Sequence, residues 1–300
     1  MSDVRSAIWF ETLARGDVEL VGGKNSSLGE MVQTLGAKGI RVPPGFATTA
    51  DAFRAFIADN GLNALIDETM ARLDGKKITL QEAGRTIRAA IVAGDWPQNT
   101  HDEIVACYRE LSKRAGVTDM PVAVRSSATA EDLPDASFAG QQETFLNVRG
   151  EAALLDACRR CYASLFTDRA ISYRKVQGFE HDKVALSVGV QQMVRSDIGG
   201  SGVMFSIDTE SGFDKVVLIN AAWGLGENVV QGAVTPDEYQ VFKPLLEKPG
   251  LKPIVEKKIG AKERKMVYAG LAGGDIKNVP TSKARSEEHT SELQSQIDLV

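Results

Sequence analysis

The chain has 300 residues, a formal net charge of −5 and 43% hydrophobic residues, enough for a large core in one or two domains. No basic cluster stands out, which argues against nucleic acid as a partner. The apolar stretches are too short to span a membrane, and the amino terminus lacks a signal-peptide pattern. Three cysteines give no disulfide framework, so we expect a cytoplasmic protein.

Near the amino terminus, a pair of glycines and a lysine precede a predicted helix. Ser27 and Glu30 have the capping-box spacing that predicts a helix start just after Lys24. A lysine at this place can meet an anion that the helix N–H groups attract. The segment is not a Walker A motif, because Asn25 stands where that motif requires serine or threonine. From the spacing alone, a solvated lysine is the favoured interpretation.

Helical patterns follow a short strand that we predict at residues 40–42. From residue 48 to residue 94, apolar residues recur at helical spacing. Within that stretch, Thr79 and Glu82 form a capping box that predicts a helix start. Residues 102–114 predict a further helix, and we interpret all of these segments as scaffold.

Residues 122–148 contain a predicted strand that delivers one arginine into a loop of small hydroxyl, glycine and acidic residues. The strand is apolar until Arg125, and serine, threonine and glycine follow it. Hydroxyls, open backbone N–H groups and a planar guanidinium suit a phosphate site. An ordinary strand–loop–strand connection, with the arginine paired to Asp132 or Asp135, fits the composition equally well.

Two cysteines spaced as C-x-x-C lie in a predicted helix at residues 151–166. Cys158 and Cys161 could suggest zinc or redox chemistry, but neither a second pair nor a nearby histidine accompanies them. Both fall on the apolar face of the helix. Core packing is therefore the favoured interpretation.

Alternating side chains at residues 184–194 predict a strand with one face in a core. Two more strands are predicted at residues 202–207 and 215–220, and a Gly-Leu-Gly turn then leads to Glu227. A carboxylate in this place could hold Mg²⁺ against phosphates. Glycines often mark only a bulge or a tight turn, however, and from the residues alone that reading is favoured. Residues 238–243 are predicted to form a last strand.

The character of the chain changes after this strand. Prolines and lysines in residues 244–284 predict a strand and a linker that leaves the domain. Residues 285–300 are polar and poor in core residues. We expect them to be a foreign or poorly ordered tail, or at most a frayed helix.

Three motifs in this order resemble the nucleotide-binding domain of the phosphoenolpyruvate synthase family. The first is GGKN at residues 22–25 together with SLGE at residues 27–30. The second is residues 122–148, and the third is WGLGE at residues 223–227. The resemblance runs from about residue 20 to about residue 243. Pyruvate, phosphate dikinases and rifampin phosphotransferases are related, but their loops resemble this sequence less closely.

The resemblance implies an α+β, ATP-grasp-like fold with the nucleotide cleft between two lobes. The nucleotide-binding domain would then be residues 1–243, with one lobe to about residue 180 and a second at about residues 181–243. Residues 244–284 would lead toward a phosphohistidine domain.

The same resemblance implies the residues of the site. Lys24 and Arg125 would be catalytic and would contact the phosphates, and adenine would bind near the end of the strand at residues 184–194. Mg²⁺ would be the cofactor, with Glu227 as a ligand and Gln240 as a second ligand or a phosphate contact. The expected ATP-binding residues are Lys24, Arg125, Ser126, Ser127, Gln192, Met193 and Val194.

The family reaction, as the resemblance implies, converts ATP, pyruvate and water to phosphoenolpyruvate, AMP and phosphate through a phosphohistidine. None of His101, His181 and His289 has the family's histidine context, so we expect the ATP-binding part without the phosphohistidine and pyruvate sites. Pyruvate would bind only through the remainder of the enzyme, and the full-length protein could be a homo-oligomer. Two alternatives are a rifampin phosphotransferase-like ATP-binding domain and a non-catalytic nucleotide-binding module.

Overall fold

The computed structural model describes residues 5–129, 143–178, 184–270, 276–288 and 290, together with the backbone of two short strands between residues 132 and 137. The chain divides into two compact units, Met1–Met193 and Val194–Val300. The boundary therefore lies 13 residues after the one expected at about residue 180. Helices and sheets occur together throughout, which confirms the predicted α+β class.

The first unit is built on an antiparallel sheet. Five strands pair in the order β1-β2-β7-β3-β6, and β4 and β5 form a separate two-stranded ladder. Neighbours in the sheet are distant in sequence, so its order is set by long-range packing. The strands are β1 (Ala7–Trp9), β2 (Gly45–Thr48), β3 (Val122–Ala128), β4 (Asp132–Leu133), β5 (Ala136–Ser137), β6 (Thr144–Val148) and β7 (Leu186–Gln192).

Helices cover both faces of this sheet. The larger core joins one face to α2–α7, and a smaller core around Phe10 and Val21 joins the other face to α1. Successive strand residues alternate between the two faces: Ala7 and Phe46 pack in the larger core, and their neighbours Ile8 and Ala47 pack in the smaller one. The helices are α1 (Val18–Gly36), α2 (Ala50–Asp59), α3 (Leu62–Asp74), α4 (Leu80–Ala93), α5 (Gln98–Arg114), α6 (Glu151–Ser164) and α7 (Asp168–Gln177).

Short-range patterns in the sequence predicted most of these helices and strands. The Thr79 hydroxyl accepts a hydrogen bond from the Glu82 N–H (3.2 Å), and the Glu82 carboxylate accepts one from the Thr79 N–H (2.7 Å), so the capping box is confirmed. The prediction of a strand at residues 40–42 was wrong. That segment is irregular, and the strand begins at Gly45, after the two prolines that cannot donate to a ladder.

The C-x-x-C pair lies in the core of the first unit. Cys158 and Cys161 have no exposed surface, and burial raises the pKa of the Cys158 thiol to about 12. Burial likewise raises the pKa of Cys161 well above its ordinary value. Both thiols therefore stay protonated at neutral pH, which agrees with the core-packing interpretation and disfavours thiolate chemistry.

The second unit contains a four-stranded antiparallel sheet in the order β11-β10-β9-β8 and a separate hairpin of β12 and β13. Its first three strands agree with the predicted ones to within three residues. The elements are β8 (Gly200–Phe205), β9 (Val216–Trp223), α8 (Glu227–Val230), β10 (Asp237–Phe242), β11 (Ile254–Lys258), β12 (Arg264–Tyr268), β13 (Ile276–Pro280) and α9 (Lys283–Glu287).

Residues 244–284 were predicted to form a strand and a linker, and three strands of the second unit come from them. A buried ion pair fixes this part of the chain: Lys262 Nζ donates to Asp237 Oδ1, and both side chains have no exposed surface. Thr290 is also buried and donates to the same carboxylate from its N–H (2.7 Å) and its hydroxyl (3.0 Å). Residues 291–300 lie outside the described part, so the nature of the tail stays a prediction.

Among the described helices, none combines the length and the apolar content that a membrane span requires.

Candidate functional site: a cationic pocket beside helix α1

A kink at Gly22 divides α1 into two helical segments, and the second segment, which begins at Gly23, lies beside the pocket. Gly22 has φ 75° and ψ 163°, so the helix is interrupted there. A Cβ at Gly22 would lie 2.3 Å from Ser127 Oγ and 2.5 Å from the Ser127 carbonyl oxygen. Only glycine therefore allows α1 to approach β3 so closely. The second segment of α1 begins at Gly23, four residues before the start at Ser27 that the capping-box spacing predicts. Lys24 therefore lies in the first turn of this second segment.

Arg125 is the exposed residue of an otherwise buried strand, β3. It pairs with Gly189 of β7, and paired residues of an antiparallel ladder point to the same face of the sheet. A Cβ at Gly189 would lie 2.3 Å from Asn25 Oδ1, so this face is the one that α1 covers. The guanidinium and the first turn of α1 therefore share one side of the sheet.

Lys24 and Arg125 line the same pocket, which has a volume of about 300 Å³. The described residues that line it include Gln191 and Ser27 as further polar groups and no acidic side chain. The volume lies at the lower end of the range for small-molecule sites, so the pocket suits part of a nucleotide. Two cationic side chains on one pocket favour an anion as its ligand.

One wall of the pocket is apolar and was not anticipated from the sequence. Phe10, Leu28 and Met31 form it, and Gly189 of β7 also lines the pocket. Phe10 comes from a short turn, Phe10–Thr12, that carries no motif. The available signal was the glycine in the middle of the alternating strand, since such a glycine often marks a close approach of another chain segment.

The two serines after Arg125 are buried beside the pocket and do not line it. Ser126 lies on the opposite face of the sheet from Arg125, since successive strand residues alternate, and its N–H donates to the Glu143 carbonyl (3.2 Å). Ser127 Oγ accepts a hydrogen bond from the N–H of Asn25 (3.4 Å). Ser127 thus caps the first turn of α1, and the ATP contacts expected of both serines stay a prediction.

The expected adenine-binding residues lie at the end of β7. The N–H of Gln192 donates to the Pro44 carbonyl (2.9 Å), and that of Met193 donates to the Pro121 carbonyl (2.9 Å). Val194, which begins the second unit, is 61% exposed. None of these three residues lines the pocket, but Gln191, the residue before them, does. The Gln191 side chain donates to the Pro43 carbonyl (3.0 Å).

The two expected metal ligands belong to the second unit. Glu227 is the first residue of α8, follows the Gly-Leu-Gly turn and accepts a hydrogen bond from Gln231 Nε2 (2.6 Å). Gly224 has φ 85°, and the N–H of Leu225 donates to the Met266 carbonyl (2.9 Å), so β12 supports the turn. Gln240 lies in β10 opposite Leu218 of β9.

The oxygen atoms of Glu227 and Gln240 are chemically suited to Mg²⁺. Across the described ranges, no group of three or more His, Cys, Asp or Glu side chains could hold a metal ion by itself. Mg²⁺ bound with a nucleotide usually keeps several waters and takes one or two carboxylates together with phosphate oxygens. Each of these two side chains therefore offers an oxygen donor of the kind that such a metal takes.

Geometry and charge together define an α+β nucleotide- or phosphate-binding domain. Comparison with known proteins is consistent with this class: residues 18–298 match the family described as the pyruvate phosphate dikinase, AMP/ATP-binding domain. The chain belongs to this family.

Curated relatives are similar over nearly the whole chain. The phosphoenolpyruvate synthase of Synechocystis sp. is 56% identical over 94% of this chain and 35% of its own length. Those of Neisseria meningitidis and Escherichia coli are 56% and 55% identical over 91% and 87% of this chain. The aligned parts are 34% and 33% of those two proteins. The chain thus spans about a third of the length of the curated relatives that it matches.

Proposed function

We propose that this chain is the ATP-binding part of a phosphoenolpyruvate synthase. The observation that carries the proposal is the shared pocket of Lys24 and Arg125, whose two cations match the polyphosphate of ATP. The relatives are named for the product, phosphoenolpyruvate. In the reaction that the family resemblance implies, ATP, pyruvate and water would give phosphoenolpyruvate, AMP and phosphate. Pyruvate and the phosphohistidine would bind or react elsewhere in a longer protein.

In this proposal the chain's own residues bind and orient ATP. Arg125 offers a planar guanidinium that can contact two phosphate oxygens, and Lys24 adds a point charge at the start of α1. Both cations would hold the phosphoryl group in place and stabilise the negative charge on its oxygens as the phosphate bond breaks. These two effects are their proposed catalytic role. We propose an ATP-grasp-like fold in which Gln192, Met193 and Val194 recognise adenine through their backbone.

Lys24→Ala and Arg125→Ala are each expected to weaken Mg-ATP binding by roughly ten- to a hundredfold. Each change removes a charge-assisted contact worth about 1.5–3 kcal/mol. Isothermal titration calorimetry on the whole chain measures the effect. Because both side chains are exposed, we expect thermal unfolding to change little.

Matched controls are Lys113→Ala and Arg85→Ala, which remove exposed cations of the same unit outside the pocket. Both controls should bind Mg-ATP with unchanged affinity. Affinity that is the same in all four variants would refute the proposed site and return Lys24 and Arg125 to ordinary surface cations.

Glu227→Gln is expected to raise the Mg²⁺ concentration that half-maximal ATP binding requires by roughly tenfold or more. Mg²⁺ would neutralise phosphate charge, and even indirect partners of a metal often contribute 10- to 100-fold to its affinity. Titration of Mg²⁺ at fixed ATP measures the effect. Glu247→Gln, which changes an exposed glutamate of the same unit, serves as the control. An identical Mg²⁺ requirement in both variants would remove Glu227 from the site.

A further inference from the structure

Asn25, the residue after Lys24, is a buried polar side chain that joins three elements. It is 2% exposed, and its Nδ2 donates to the Val21 carbonyl (3.1 Å) and to Ser187 Oγ of β7 (2.8 Å). Its backbone N–H donates to Ser127 Oγ of β3 (3.4 Å). The first turn of α1 is therefore tied to both strands that line the pocket.

The partners of Asn25 are themselves fixed. Ser187 Oγ donates to the Thr48 carbonyl (2.5 Å), and the Thr48 hydroxyl accepts from the N–H of Val188 (2.9 Å). Ser187 and Thr48 have no exposed surface. Gly189 leaves the space that Asn25 Oδ1 occupies, since a Cβ there would lie 2.3 Å from this oxygen. In such a buried network an amide has one orientation.

We propose that Asn25 is a positioning residue that fixes the distance between Lys24 and Arg125. Asn25 and its partner on β3 both lie next to the cations. Asn25 directly follows Lys24, and Ser127 is two residues after Arg125 on the same face of β3. The Asn25 side chain is uncharged and also borders the pocket. In the proposed role it acts on ATP through the lysine beside it, whereas a direct contact with ATP would cost the same affinity with and without Lys24. The inference rests on the proposed function, because it takes ATP phosphate as the ligand of both cations.

A double-mutant cycle tests this role. Asn25→Ala is expected to weaken Mg-ATP binding roughly tenfold in the natural sequence and less than twofold when Lys24→Ala is already present. The reason is that a lysine side chain that is absent cannot be misplaced. Isothermal titration calorimetry with Mg-ATP gives all four affinities. Adenosine, which lacks phosphate, should bind the Asn25→Ala variant and the natural chain equally.

Asn60→Ala is the matched control for lost stability. Asn60 also makes three hydrogen bonds, to the Phe56 carbonyl (2.8 Å) and with the Asp95 carbonyl (2.9 Å) and N–H (2.8 Å), and it does not line the pocket. This variant should lose thermal stability and keep its Mg-ATP affinity. If Asn25→Ala does not fold, Ser187→Ala removes the β7 partner instead, and the same coupling with Lys24→Ala is expected.

The outcomes are distinct. Equal losses of affinity from Asn25→Ala with and without Lys24, or a loss of stability alone as in Asn60→Ala, would overturn the positioning role. If Lys24→Ala by itself left Mg-ATP affinity unchanged, the proposed function would fail and this inference with it. Strong coupling to Lys24 together with unchanged adenosine binding is the result that supports the inference.

Discussion

Asp237→Ala is expected to lower the free energy of unfolding of the second unit by about 3–5 kcal/mol, because it leaves the buried ammonium group of Lys262 without its carboxylate. The same carboxylate accepts hydrogen bonds from the N–H of Gly260 (2.8 Å) and from the N–H and hydroxyl of Thr290. All of these donors are buried and would lose their partner together, which adds to the cost.

Urea unfolding, combined with hydrogen exchange of the amides in β9 and β10, measures the loss within the second unit. Glu238→Ala is the matched control: the neighbouring carboxylate also pairs with a lysine, Lys258, at 3.7 Å, but both groups are exposed. An exposed pair contributes about 0–1 kcal/mol. Equal losses in the two variants would contradict the importance of the buried pair.

The same ion pair makes stability depend on pH. Burial alone would raise the pKa of Asp237, but the hydrogen bonds from Lys262, Thr290 and Gly260 outweigh it, so the pKa lies below the ordinary 3.8. A depressed pKa means that the stabilisation is fully present above the pKa of the unfolded chain. It is lost as the pH falls through the folded-state pKa, below 3.8. The stability difference between the natural chain and Asp237→Ala should therefore narrow in that range.

Gly22→Ala is expected to destabilise the first unit and to weaken Mg-ATP binding together. The left-handed backbone at φ 75° costs a residue with a side chain about 1–3 kcal/mol. The added Cβ would also lie 2.5 Å from the Ser127 carbonyl oxygen, and overpacking of this kind costs a further 1–3 kcal/mol, roughly. Because α1 must move away from β3, Lys24 would move away from Arg125.

Thermal unfolding and calorimetry with Mg-ATP measure the two effects. Gly36→Ala, in the last residue of the same helix, is the control, because a Cβ there meets nothing within 4 Å. Replacing that glycine should be neutral or stabilising by up to about 1 kcal/mol. A Gly22→Ala chain as stable as the Gly36→Ala chain would refute the close approach of α1 to β3.

Signals that act over a few residues were readable from the sequence. The capping box of Thr79 and Glu82 spans four residues and fixes the start of α4 without any other part of the chain. The apolar spacing around Cys158 and Cys161 likewise identified their core position. The helix start predicted at Ser27 was wrong, because α1 already begins at Val18 and continues after its kink from Gly23, where Ser127 of a distant strand accepts the hydrogen bond from the Asn25 N–H.

The two cations of the pocket were predicted from the sequence, but residue patterns alone did not identify them. The spacing of the residues favoured a solvated lysine at position 24. For Arg125, composition fitted a phosphate site and an ion pair within the loop equally well. Resemblance to a family predicted both as site residues, and the structure brings them to one pocket. Their contact with ATP stays a proposal that the cation variants test.

Only the tertiary structure decided what surrounds these residues. Asn25 meets Ser127 and Ser187 across 102 and 162 residues of chain, and Asp237 meets Lys262 and Thr290 across 25 and 53. Local propensity carries no information about such partners, because they are chosen when strand order and register bring distant segments together. Residues 244–284 show the same limit: prolines and lysines predicted a strand and a linker, but β11 pairs along β10 and the buried ion pair holds the segment after it.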